Sequence, residues 1–318
     1  MTPSRGGDLL PARILVLFLD GVGIGLEDPQ VNPFLQARTP HLRELLGGRP
    51  PTVNTLDDPS PSARARLLAL DACLGVEGLP QSGTGQVALL TGRNAPRLLG
   101  RHFGPWPPVR LRTLLDEENL LVRARARGAS VTFANAYPAG YPESRNRRLV
   151  AAPPLAARAA GRLNLDHRAL ARGEAVASEI VNGGWRTHLG FRDLPEVTPR
   201  QAGRNLARIA SAARLTLYAH YLTDLAGHRG GASGAREALE RVDAFLGGIL
   251  EFLTDDTLLL LTSDHGNLED LRGGHTRNPA LGLALGPGAG AFPLSLPLTA
   301  VTPLLLGLLG GQNQDASR

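Results

Sequence analysis

The sequence predicts an α/β protein built on a doubly wound, mostly parallel sheet, and two observations carry that prediction. First, residues 14–19, 129–136, 215–221 and 258–262 form short, almost continuously apolar runs. Such runs, rather than alternating ones, suit strands covered on both faces, the usual condition of a parallel sheet. Second, helical patterns lie between these runs, so strands and helices alternate along the chain. Sites in such sheets form beyond the carboxyl ends of the strands.

The clearest helix is "REALERVDAFLGGILEFL", where Leu239, Val242, Leu246, Ile249, Leu250 and Leu253 follow helical spacing. Thr198 and Pro199 offer an N-cap and first-turn pair for the helix before the third run. The stretch 138–195 fits less well, being rich in Pro, Ala, Arg and Gly with one helix expected over 167–182. We therefore expect a catalytic core from residues 1–137 and 200–318, with 138–199 as a small inserted cap. The tail "LPLTAVTPLLLGLLGG" reads as a short buried helix interrupted by Pro303.

At 318 residues the chain can bury a large core, and 42% apolar with 20% charged residues describes a globular protein. The net charge of +5 and pI near 10.2 invite a nucleic-acid reading. All 34 basic residues are arginines scattered along the chain, and the 14 aromatics form no stacking series, so no nucleic-acid partner is expected. "RARAR" at 123–127 reads as a solvated helix face. Cys73 is the lone cysteine, expected as a small buried hydrophobe, and a reducing, cytoplasmic setting follows. No window reaches the roughly 20 apolar residues of a membrane span, so a soluble protein is expected.

The chemistry lies at the strand ends. The first run ends in Asp20, within "FLDGVGIG"; the third leads to Asp224 and His228, in "TDLAGH". The fourth ends in Asp264 and His265, with His275 ten residues on in "GGHTRNP". Each alone is weak, since an aspartate at a strand end usually caps a turn and a histidine is usually a satisfied core residue. Together they place three carboxylates and two histidines at one edge, with a third histidine close behind, a donor set suited to Zn²⁺ or Mn²⁺. Unneutralised carboxylates there would repel one another, and two divalent ions remove that problem. Two such ions leave one positive charge in surplus over three carboxylates, which favours an anion such as a phosphoryl group. "LPQSGTGQVALLTG" supplies Ser82 and Thr84 in a glycine-flanked turn before a helix. Either hydroxyl could attack, or Ser82 could simply cap the helix.

The ordered set Asp20, Ser82, Asp224, His228, Asp264, His265 and His275 resembles the alkaline phosphatase superfamily of two-metal enzymes. "TSDHGN" with "GGHTRNP", and "DGVGIG" followed by "ARTPHLREL", are similar to the cofactor-independent phosphoglycerate mutase and phosphopentomutase branch. The resemblance covers about residues 13–137 and 200–310 and implies an alkaline phosphatase-like core. It implies that Asp224, His228 and His275 hold one metal and that Asp20, Asp264 and His265 hold the other. It also favours Ser82, nine residues before Thr91 and Gly92, as a nucleophile forming phosphoserine, with Thr84 in reserve.

Departures from the branch bear on the reaction. The cap is much smaller than that of phosphoglycerate mutase, and the chain has no lysine to fill a lysine role. Arg145, Arg147 and Arg148 are candidates to face a substrate phosphate or carboxylate. A phosphatase or phosphomutase acting on a small phosphorylated metabolite is therefore expected. The alternatives are a sulfate- or phosphonate-ester hydrolase of the same superfamily and an arginine-rich nucleic-acid binder. A dinucleotide-binding enzyme is excluded, because Leu26 stands where the third glycine of the fingerprint belongs.

Overall fold

In the computed structural model, which describes residues 10–141 and 149–310, the apolar runs form the centre of one mostly parallel sheet. Among these residues the strands are β1 (Arg13–Leu19), β2 (Arg66–Asp71), β3 (Val131–Phe133), β4 (Leu215–His220), β5 (Thr257–Thr262), β6 (Ala280–Leu285) and β7 (Ser295–Pro297). Their order is β3-β4-β1-β5-β6-β2-β7, and β6 alone runs antiparallel to its neighbours. β1 pairs in parallel with β4 on one side and β5 on the other.

Burial explains why these strands read as unbroken apolar runs. Along β1, Ile14, Val16 and Phe18 enter one core cluster, while Leu15, Leu17 and Leu19 enter a second. β5 repeats the pattern, with Leu258 and Leu260 on one face and Leu259 and Leu261 on the other. The first face packs against helices Ser82–Thr91, Ala152–Ala159 and Leu298–Gly310. The second packs against Pro199–Ser211 and Gly231–Phe252. Thr198 caps the former as its spacing predicts, its side chain accepting from the Gln201 amide at 3.1 Å.

Several local expectations are corrected. The run 129–136 shortens to β3, because Asn135 leaves the ladder to bond the Ala219 backbone in both directions. The helix expected over 167–182 stops at Arg172, where Gly173 turns left-handed, and a shorter helix, Gly183–Thr187, follows. Cys73 is half-buried rather than buried. Three strands, β2, β6 and β7, went unread. Within 138–199, the helix Ala152–Ala159 joins the main core, while Leu170, Trp185 and Leu194 belong to a separate small cluster. No helix among the described residues is long and apolar enough to cross a membrane.

Candidate metal centre

Because β4, β1 and β5 are parallel neighbours, their carboxyl ends open on one edge. Leu19 sits opposite His220, and Phe18 opposite Thr262, so the residues just beyond them are brought side by side. Asp20 follows β1 directly, and Asp264 and His265 follow β5. β4 leads into the helix Leu222–Arg229, where the four-residue spacing of Asp224 and His228 puts both on one face. Gly21 takes a left-handed turn (φ 67°), and a Cβ there would collide with the Asp224 carboxylate. Only glycine lets these two strand ends approach so closely.

Two groups of potential ligand atoms result, each lying within 4.8 Å of one another. One is Asp224, His228 and His275; the other is Asp20, Asp224 and His265. Asp224 belongs to both. His228 Nε2 lies 3.0 Å from His275 Nε2 and 3.5 Å from Asp224 Oδ2. The His265 and His275 rings stack with centroids 4.0 Å apart, so the groups are contiguous. Asp264, expected beside Asp20, holds Oδ1 to the Gly21 amide at 3.3 Å and Oδ2 at 3.7 Å from His265 Nε2.

Ser82 is the first residue of its helix, after Gln81, so it does not act as the N-cap. Its Oγ lies 2.9 Å from His265 Nε2. Thr84 is turned elsewhere: its hydroxyl accepts from the Phe103 amide at 3.1 Å and lies near the Gln81 and Phe103 carbonyls. Arg145, Arg147 and Arg148 lie outside the described residues.

The electrostatics carry the signature of missing positive charge. Burial, reinforced by the Asp224 charge, raises the Asp20 carboxyl to about 8. Burial, with the Asp20 charge added, raises Asp264 well above the usual carboxylate range. Burial also pushes Asp224 upward, but its hydrogen bond with His275 and the charge of His265 outweigh it and hold Asp224 low. Asp20 Oδ1 and Asp264 Oδ2 are buried without a hydrogen-bond partner. The imidazoles are set up to complement them. His275 Nδ1 faces the Pro80 carbonyl at 2.7 Å and His265 Nδ1 the Gly266 carbonyl at 3.3 Å. A ring that donates from Nδ1 presents a bare Nε2 lone pair, the tautomer a cation needs. The residues present therefore fit divalent metal ions.

Comparison with known proteins agrees. Residues 201–300 match the family model described as "Metalloenzyme superfamily". A phosphopentomutase from Methylobacterium radiotolerans is 33% identical over 180 residues, 51% of this chain and 40% of that protein. A 2,3-bisphosphoglycerate-independent phosphoglycerate mutase from Halobacterium salinarum is 37% identical over 97 residues, 27% of this chain and 19% of that one. These alignments thus span two fifths or less of the relatives' length. The PH0037 protein from Pyrococcus horikoshii superposes with a TM-score of 0.54 at 13% identity, covering 95% of this chain and 97% of that one. The alkaline phosphatase from the Antarctic bacterium TAB5 superposes with a TM-score of 0.50 at 12% identity, covering 94% and 98%. At such identities the structural likeness concerns the fold.

Residues 201–300 are thus similar to the metalloenzyme superfamily, and the fold is like that of an alkaline phosphatase.

Three residues that support the site escaped the sequence reading. Glu269 is fully buried, and its Oε2 accepts from the Gly23 and Asn267 amides at 2.8 Å each. Its Oε1 accepts from Thr276 at 2.6 Å and Asn278 at 3.0 Å. It thereby ties the loop after β1 to both loops that carry the histidines 265 and 275. Asn267 donates to Asp224 Oδ1 at 2.7 Å, and Gln86 donates to Asp20 Oδ2 at 3.1 Å. The stretch "GNLED" reads as a polar surface turn, and nothing local marks Glu269 as buried.

Proposed function

We propose that the protein is a metal-dependent phosphoryl-transfer enzyme, a phosphatase or phosphomutase, acting on a small phosphorylated metabolite through a phosphoserine at Ser82. The observation that carries this reading is the convergence on His265 Nε2. Ser82 Oγ lies 2.9 Å, Asp20 Oδ1 3.4 Å and Asp264 Oδ2 3.7 Å from that one nitrogen. In a serine–histidine–aspartate triad the carboxylate would bind the other ring nitrogen, and here Nδ1 faces a backbone carbonyl. A hydroxyl and two carboxylates gathered around one imidazole nitrogen form a ligand sphere, not a proton relay.

Asp224, His228 and His275 would hold one ion, and Asp20, Asp264 and His265 the other, as Mn²⁺ or Zn²⁺. Such ions, when bound, supply positive charge that eases proton loss from a hydroxyl and offsets charge on a phosphoryl group. Ser82 Oγ forms its bond to phosphorus as the bond to the substrate oxygen breaks, and the serine proton ends on the departing alcohol. The N-terminus of the helix Ser82–Thr91 faces the phosphoryl charge favourably. Gln86 and Asn267 keep Asp20 and Asp224 aimed. Return of the phosphoryl group to another hydroxyl makes a mutase, and its passage to water makes a phosphatase. Segment 138–199 serves as the cap, contributing Tyr141, Leu149, Ser178 and Trp185 to the cleft above the centre. A cytoplasmic setting is consistent with the single cysteine.

The test strips the protein with chelator, restores Mn²⁺ or Zn²⁺, and follows phenyl phosphate hydrolysis beside Ser82→Ala. Expected is metal-dependent turnover that falls by roughly three orders of magnitude or more in the variant. Turnover retained by Ser82→Ala removes the phosphoserine. Hydrolysis confined to sulfate or phosphonate esters transfers the site to those substrates, and failure to bind metal in equilibrium dialysis overturns the reading.

A further inference from the structure

Aromatic side chains make up only 4% of this sequence, yet both tryptophans and three of the four tyrosines line one cleft: Trp106, Trp185, Tyr137, Tyr141 and Tyr221. The cleft has a volume of about 940 Å³, and Asp20, Ser82, Asp224, His228 and His275 form part of its lining. Its rim is apolar as well. Leu79, Leu149, Leu189 and Leu225 are 45%, 41%, 49% and 47% exposed, four of the ten large hydrophobic side chains so exposed among the described residues. Core packing does not explain apolar groups left half in water, whereas exposed apolar clusters beside a reactive centre mark binding surfaces.

The polar capacity of the cleft is modest by comparison. Tyr137 and Tyr221 direct their hydroxyls at each other at 3.5 Å, and the Tyr137 and Tyr141 rings stack at 4.4 Å. Gln86 is already engaged by Asp20 and by the Ala152 amide. Outside the metal centre, the other polar side chains among the described lining are Gln81, Tyr141, Ser178 and Arg229. A bare sugar phosphate needs a partner for each hydroxyl it buries, and each one left unmet costs binding. It would also fill little of the space. A flat apolar group matches aromatic and leucine walls without that cost.

We infer that the alcohol part of the substrate carries a flat aromatic group, so that the enzyme acts on phosphomonoesters of aryl alcohols or of nucleosides. This inference rests on the phosphoryl-transfer reading above. The phosphoryl group sits at Ser82, and the aromatic part extends between the tyrosines and the cap.

The test compares kcat/KM of the Mn²⁺-loaded protein for 1-naphthyl phosphate, adenosine 5′-monophosphate and ribose 5-phosphate. Binding of the same three to metal-loaded Ser82→Ala is measured by calorimetry, where no turnover intervenes. At least one aromatic substrate should exceed ribose 5-phosphate by about tenfold or more in both measurements, and the better arm distinguishes aryl from nucleoside. Leu189→Ser, on the exposed rim, should raise KM for that substrate about threefold. Serine-dependent turnover that favours ribose 5-phosphate, or shows no preference, overturns the inference and leaves the phosphoryl-transfer reading standing. Aromatic binding without turnover of any ester upholds the aromatic site and removes the reaction instead.

Discussion

Glu269 is a fully buried side chain, satisfied by four donors from Gly23, Asn267, Thr276 and Asn278. Two of those donors are backbone amides that approach Oε2, so replacing that oxygen by an amide nitrogen leaves them facing another donor. Glu269→Gln should therefore cost about 1–3 kcal/mol of stability, the penalty of a buried unpaired group. Because the same carboxylate fixes the loops bearing Asp20, His265 and His275, the variant should also bind metal more weakly. Unfolding with urea and metal content after dialysis measure the two effects; stability and metal content both equal to the parent's would deny Glu269 its positioning role. At this scale Asp20, Asp224, His228, Asp264, His265 and His275 could be singled out as candidate ligands, since they cluster after successive apolar runs. Glu269 could not, because its partners arrive from distant loops and its own neighbourhood is polar.

Among the elements, the pairing of Pro199–Ser211 with Gly231–Phe252 sets how closely the second face of the sheet is covered. Gly203 lies against the Phe245 carbonyl and Gly248 against the Arg200 carbonyl, so the two helices touch backbone to backbone. Alanine in place of Gly203 would gain about 1 kcal/mol in helix propensity. It would also drive a methyl into a main-chain carbonyl that cannot swing aside, with overpacking costs of about 1–3 kcal/mol or more. The clash should win, and Gly203→Ala should lower the urea midpoint without changing the denaturant slope; a raised midpoint would show that the helices can part. The same pairing explains a limit of sequence reading. The apolar stripe of "REALERVDAFLGGILEFL" announces the helix, but its glycines look like weaknesses until the neighbouring helix is seen pressed against them.

For the whole molecule, the buried carboxylates link folding, metal and pH. Asp20 is raised from 3.8 to about 8 by burial and by Asp224, and Asp264 is raised by burial and by Asp20. A carboxyl raised in the folded state adds stability that is complete below its unfolded value and lost as pH rises through the folded one. The chelated protein should accordingly lose stability from these groups as pH rises between 3.8 and about 8. Buried His220 acts in the opposite sense: burial lowers it from 6.5 to about 4, so its contribution is lost as pH falls across that interval. That contribution is common to chelated and metal-loaded protein and cancels in their difference. Metal binding requires ionised carboxylates, so the rise in Tm on adding Mn²⁺ should be larger at about pH 8 than at about pH 5. A rise that is equal or larger at the lower pH would mean that Asp20 and Asp264 do not hold the ion.

The sequence by itself determined the parallel centre of the sheet and the edge on which its chemistry lies. Continuous apolar runs require cover on both faces, and parallel neighbours must end on the same side. Only the tertiary structure decided the rest. "RLLALD" and "ALGLAL" are too short for their period to separate strand from helix, and pairing with each other and with β5 makes them strands. Asp224 faces both ligand groups, and Ser82 meets His265 across 183 residues of chain. Five scattered tyrosines and tryptophans become one cleft wall. These depend on which distant surfaces meet, and a local pattern fixes the face a side chain takes but not the neighbour it finds there.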